Sequence, residues 1–249
     1  MKKIFVCSAV SAIIIFIGLQ FFCQSDKYKA LVSVKTEVIK TYEYFDPDPI
    51  PILTKTNMWG GGRRLYPYNF FNGFTRSGTM KEWKVVYMEN PYIEVSVLPG
   101  VGGKIWGARE KASGHEFIYT NHVLKFREIA LRGPWTSGGI EFNFGVIGHT
   151  PSTAAPVDHV IRNNPDGSVS CYVGTMDLPS RTRWSVEILL PPDKAYFVTR
   201  AFWFNASPLF QSYYAWMNGA VRVDSDLQMI FPGKFHIGHN YSVPLKSWP

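Results

Sequence analysis

Apolar and polar residues alternate along most of this chain with a period of two, as they do in strands that bury one face. Ile93, Val95 and Val97 fall on one side and Glu94 and Ser96 on the other, so 93–97 reads as a half-buried strand, which PGVGG at 99–103 bends or reverses. Residues 104–110 and 116–120 continue the meander around KASGH at 111–115, where Gly114 is free to take a positive φ. A hairpin is signalled more strongly over 159–163 and 168–174, because Pro165 presets a turn and Gly167 closes it. Residues 184–190 and 196–205 form a third pair across Pro191, Pro192 and Asp193. DPDPIP at 46–51 is extended and helix-free, and residues 25–50 read as an extended linker or edge segment ahead of a folded domain at 51–249. No amphipathic helix of three turns, no long repeat and no low-complexity tract is present in the mature part. Strand after strand with short connections predicts an all-β antiparallel sandwich or barrel and disfavours a propeller or solenoid.

Composition narrows the picture. With 249 residues, 46% of them hydrophobic and only 18% charged, the chain can bury a substantial core. The 16% aromatic share favours strands. The formal charge of +7 includes Lys2 and Lys3 of the leader, and the remaining basic residues are scattered among acids, so no nucleic-acid partner is expected. Lys2 and Lys3 precede an uncharged run from Ile4 to Phe22, which makes residues 1–24 an export leader and places the mature part outside the cytoplasm, in the periplasm or cell envelope. That run nearly spans a bilayer at ~1.5 Å per residue, so an uncleaved anchor is one alternative. Acylation of Cys23 is another, although Phe22 stands where a small residue is normally needed for cleavage. Either would attach the protein to the membrane. Past the leader Cys171 is alone, in the alternating run SVSCYVG, and reads as a small buried hydrophobe.

The stretch from Leu131 to Pro151, LRGPWTSGGIEFNFGVIGHTP, gathers a cation, an acid, an amide, a histidine and three large aromatics among glycines. Sugar rings need flat apolar surfaces to stack on and a few fixed polar groups for their hydroxyls. Glu141, between Ile140 and Phe142, is the candidate acid or base, its pKa expected to rise in an apolar pocket. His149, titrating near ~6.5 when unperturbed, is its candidate catalytic partner. Arg132 and Asn143 would orient hydroxyls, and Trp135 would offer a stacking face. On a strand Glu141 and Asn143 share a face, which equally suits a hydrogen-bonded pair that merely holds a loop. His236 and His239 have a spacing that suits a metal only on a helix, and their segment is Gly-rich, so no metal or other cofactor is expected. His239 is kept as a residue lining the sugar surface. Asp158 and His159 should point apart on a strand, Asp224 and Asp226 read as a solvated loop, and GGGRR at 60–64 lacks a strand-to-helix phosphate motif. Tyr66, Tyr68, Phe70, Phe71 and Phe74 read as core rather than as a glycan-contacting rim.

The segments ENPYIEVSVLPGVGGKIWGA, LRGPWTSGGIEFNFGVIGHTPST, NPDGSVSCYVG, RTRWSVEILL and SYYAWMNGAV together resemble a bacterial domain family of unassigned biochemical function. Its members have a galactose mutarotase-like fold and often precede tetratricopeptide repeats. The resemblance, over roughly residues 40–249, implies a β-supersandwich of two large antiparallel sheets with a concave sugar-binding surface. Such domains usually extend past the point where this sequence stops, and mutarotases resembling this fold supply the catalytic glutamate late. The resemblance therefore implies a C-terminally incomplete sheet and no complete mutarotase machinery. A shared fold does not license an activity. The first reading is an exported carbohydrate-binding domain that recognises or acts on glycans. The alternatives are an epimerase or glycoside hydrolase using Glu141, and a non-catalytic protein-interaction module. The sugar readings require the Glu141 carboxylate to face a cavity.

Overall fold

The computed structural model describes residues 28–51, 66–69, 71, 73–128, 133–145, 149, 151–211, 215–230, 233, 235–236 and 246–247. The expected leader lies outside them. They form an all-β structure with one short 3-10 turn at Pro151–Thr153. In chain order the strands are β1 (Leu31–Tyr42), β2 (Thr79–Glu89), β3 (Ile93–Leu98), β4 (Lys104–Glu110), β5 (Glu116–Ile118), β6 (Val123–Lys125), β7 (Arg127–Glu128), β8 (Pro134–Trp135), β9 (Ile140–Phe144), β10 (Asp158–Asn163), β11 (Val169–Asp177), β12 (Thr182–Leu190), β13 (Val198–Asn205), β14 (Ala215–Gly219), β15 (Phe235–His236) and β16 (Lys246–Ser247).

The large sheet runs β14-β9-β4-β3-β2-β1-β6, with β5 added beside β4, and a second sheet runs β10-β11-β12-β13. The second sheet is a plain antiparallel meander. Its first turn is the one the sequence signals, with Gly167 at φ 83° and Asn164 N–H donating to the Ser168 carbonyl. Strand β1 lies along β2 from Leu31 opposite Glu89 to Thr41 opposite Thr79. Much of the segment over 25–50, expected as an extended linker or edge segment, is strand β1 of the sheet, with only a short parallel pairing to β6 on its other side.

Alternation in each strand sends its apolar set inward. Val86, Met88, Val95, Val97, Ile105, Phe142 and Phe144 of the large sheet face Cys171, Val173, Trp184, Val186 and Ile188 of the small one, and all are buried. Phe144 stacks on Trp184 at 5.0 Å and 11°, joining the sheets across the sandwich. Cys171 is a core residue, as its surroundings in sequence predict. A second cluster of Val85, Leu98, Val101, Trp106, Leu124, Phe126 and Ala154 covers part of the opposite, outer face of the large sheet. Phe74 packs against this cluster while Tyr66 is exposed, so the aromatic run near residue 70 is divided between core and surface.

Candidate functional site

Strand β9 carries the site. It pairs with β14 along its length, with Asn218 opposite Glu141 and Trp216 opposite Asn143, and it touches β4 where Ile140 faces Ile105. Since Phe142 and Phe144 are committed to the core, the two-residue period turns Glu141 and Asn143 to the outer face, together with Trp216 and Asn218. The entry to β9 is fixed by backbone lacing: Tyr119 N–H donates to the Ala220 carbonyl, Ala220 N–H to that of Gly139, and Gly139 N–H to that of Tyr119. Gly139 sits at φ 66°, and a Cβ there would lie 1.9 Å from the Ile105 carbonyl oxygen. No other residue fits that approach.

Glu141 is the centre of a donor cluster. Trp135 Nε1–H donates to Oε2 at 2.6 Å, and the side-chain amides of Asn143 and Asn218 donate to Oε1 at 2.9 and 2.6 Å. His149 Nδ1 lies 2.9 Å from Oε1, a close contact in which the ring N–H is not aligned on the oxygen. Lys104 belongs to the same neighbourhood. It is 1% exposed, its ammonium donates to the Thr136 carbonyl at 2.9 Å, and it stands 5.9 Å over the Trp106 ring. Burial lowers its pKa to about 8, while the Glu141 charge supports its protonated form.

These contacts reverse the expected chemistry of Glu141. Burial raises its pKa, but the His149 contact and the Asn143 and Asn218 hydrogen bonds outweigh burial and hold it at about 2. At neutral pH the group is a carboxylate, not the proton donor expected in an apolar pocket. It is also 4% exposed and lines neither the cleft bordered by Glu37 and His122 nor the one bordered by Tyr28 and Asp193. Neither of these clefts supplies the cavity expected at its carboxylate. The expected Glu141–Asn143 pair does exist, and Asn143 Oδ1 is buried without a partner among the described residues.

His149 is the more open member, with 17% of its side chain exposed. It holds φ 49°, a backbone conformation that costs a non-glycine residue energy and persists where surrounding contacts impose it. Its ring lies edge-on to Trp216 at 4.7 Å and to Trp135 at 6.3 Å. Carboxylate, imidazole and two indoles are thus gathered from β8, β9, β14 and the residue at 149. Trp135 is brought to Glu141 as expected of a site residue, although its N–H is spent on the carboxylate. Arg132 and His239 lie outside the described residues, as does the side chain of His236. Sequence reasoning missed Trp216, Asn218 and Lys104. The alternation in WMNG could have paired the first two on one face, but nothing local says which strand they would meet.

Residues 62–249 match a family described as a domain of unknown function, DUF5107. The structure is similar to the crystal structure of a TPR-domain containing protein from Parabacteroides distasonis ATCC 8503, with a TM-score of 0.62 and 23% sequence identity. The similarity covers 70% of this chain and 29% of that one, so this chain spans less than a third of the relative's length. At that identity the likeness speaks to fold alone. Family match and neighbour agree with the resemblance drawn from the WTSGGIEFNFG block, and the chain belongs to the DUF5107 family.

Proposed function

We propose that this domain recognises carbohydrate through His149 and its flanking indoles, with Glu141 acting behind them as a positioning residue. The observation that carries the reading is the strained, partly open imidazole, held against an ionised carboxylate and bordered by Trp135 and Trp216. An imidazole can donate to or accept from a hydroxyl, and indole faces suit the C–H surface of a sugar ring. A carboxylate with four neighbours fixes the orientation of every group around it at no cost in ligand contact. The leader pattern read in residues 1–24 supports a location in the periplasm or cell envelope, where glycans would be met, and fractionation of cells carrying the tagged protein tests that placement.

Titration of the purified protein with a panel of mono- and oligosaccharides, read by tryptophan fluorescence, should give saturable changes that H149A abolishes while the fold persists by circular dichroism. No response to any sugar would overturn the reading and favour a protein partner. The Glu141–His149 contact favours one second reading, a sugar-active enzyme in which His149 moves the proton and Glu141 orients it. Polarimetry of fresh sugar solutions and release from aryl glycosides test this version. Turnover that H149A leaves unchanged, or none at all, removes it.

A further inference from the structure

We propose that a separate cleft on the outer face of the large sheet binds a small hydroxylated ligand bearing a protonated primary amine, as an amino sugar does. The inference does not depend on His149 and goes beyond the reading given for it.

The cleft, of about 340 Å³, opens above β1 to β4 and is closed on one side by the segment from Glu116 to His122. That size suits one small ring better than a polymer. Its floor is flat because Gly107 lies against Thr120: a Cβ on Gly107 would sit 1.8 Å from the Thr120 hydroxyl oxygen. The Trp106 indole and the Tyr87 ring form its apolar walls. Burial, the Glu37 charge and hydrogen bond, and Glu94 push the Tyr87 hydroxyl up to about 12, so it stays protonated, with its hydrogen directed at Glu37.

Charge selects the ligand. Three carboxylates line the cleft, from Glu37, Glu94 and Glu116, against one guanidinium. Arg109 is committed to Glu94, with Nε to Oε1 at 3.0 Å and an Nη to Oε2 at 3.3 Å, and that pair is neutral. Glu37 and Glu116 are half-buried and, among the described residues, make no direct ion pair, although Glu116 stands opposite Arg109 in the β4–β5 pairing and Glu37 accepts from the Tyr87 hydroxyl. His122 also lines the cleft, and Lys35, beside the lining, is engaged over the Tyr87 ring at 4.8 Å. With Arg109 shared between Glu94 and Glu116, the lining still carries more carboxylates than guanidinium groups, which favours a cation and repels an acid. Thr120 and Asn121 line the same wall and suit hydroxyls. Among the described residues no set of three or more metal-ligating side chains is present, which leaves the charge to an organic ammonium.

Calorimetric titration of the intact protein at neutral pH with glucosamine, N-acetylglucosamine, glucose, glucuronate and putrescine tests the inference. Glucosamine should bind, and acetylation of its amine should weaken binding by about tenfold or more, the scale of one lost ion pair. E37Q and E116Q should each weaken glucosamine by a similar factor, and added salt should do the same for the wild type. Equal affinity for glucosamine and its acetylated form overturns the proposal without relying on any variant. So does unchanged affinity in both variants once circular dichroism shows them folded. Putrescine binding as tightly as glucosamine overturns the hydroxylated body. Neutral sugars that still perturb the tryptophans in an H149A-sensitive way would leave the His149 reading standing while this one falls.

Discussion

A carboxylate at about 2 where the ordinary value is 4.5 ties Glu141 to stability as well as to the site. Because the folded state holds the proton less tightly, the contribution of this group is complete above about pH 4.5 and is lost as pH falls from there toward 2. The loss should amount to roughly 3 kcal/mol, and E141Q should flatten that limb of an acid unfolding series; an unchanged limb would mean the carboxylate is not held ionised. Lys104 and Glu141 should also be coupled, since either alone is a buried charge without its counterpart. A double-mutant cycle with K104M and E141Q in urea is expected to give about 1–3 kcal/mol of interaction, and additive effects would separate them. At residue 149 two truncations isolate backbone strain from side-chain loss. Both H149A and H149G remove the ring, but only glycine accepts φ 49° freely, so H149G should be the more stable by about 1 kcal/mol. Roles at this scale were only half legible in the sequence. Glu141 and Asn143 share a face by alternation, whereas Asn218 reaches Glu141 across 77 positions of sequence, which no local pattern encodes. Sequence alone points the Glu141 shift the wrong way, because Ile140 and Phe142 turn away from it, into the core, and its hydrogen-bond partners are donors instead.

Strands and turns were far more legible. The hairpin over 158–177 follows from Pro165 and Gly167 acting within four residues, and the inward set Ile93, Val95 and Val97 of β3 follows from side-chain alternation, although Ser96 and Leu98 are buried as well, so β3 is covered more fully than the expected half-buried strand. Strand order was not, because pairing β9 between β4 and β14 depends on contacts made far along the chain. The attachment of β9 to β4 is narrow, and Gly139 sits at its edge with no room for a side chain. G139A should therefore cost more than about 3 kcal/mol, through both φ and the clash with the Ile105 carbonyl. It should also lower near-ultraviolet circular dichroism, because Trp135 and Trp216 lose their common anchor. A melt close to wild type would show that β9 is held mainly by β14.

For the molecule as a whole, the two sheets share one apolar interior, and Cys171 reports on it. Burial pushes its thiol up to about 12, and the residue is 0% exposed. With Cys7 and Cys23 replaced by serine, a thiol reagent should label Cys171 no faster than the protein unfolds globally, as judged by fluorescence in the same denaturant. Faster labelling would mean that the small sheet opens separately from the large one. The sandwich class was legible because no segment carries a helical period; the outer-face cleft was not, since Glu37, Tyr87, Trp106 and Glu116 converge only after four strands align. The course of β1 bears on how the domain should be cut from its gene. The family match begins at residue 62 and a composition-based boundary falls at 51, yet the sheet's first residue is Leu31. A recombinant product started at either later point would strip β2 of a neighbour from Thr79 to Glu89 and remove Glu37 from the cleft, giving a fragment with an unpaired, sticky edge. Expression trials should begin no later than Tyr28.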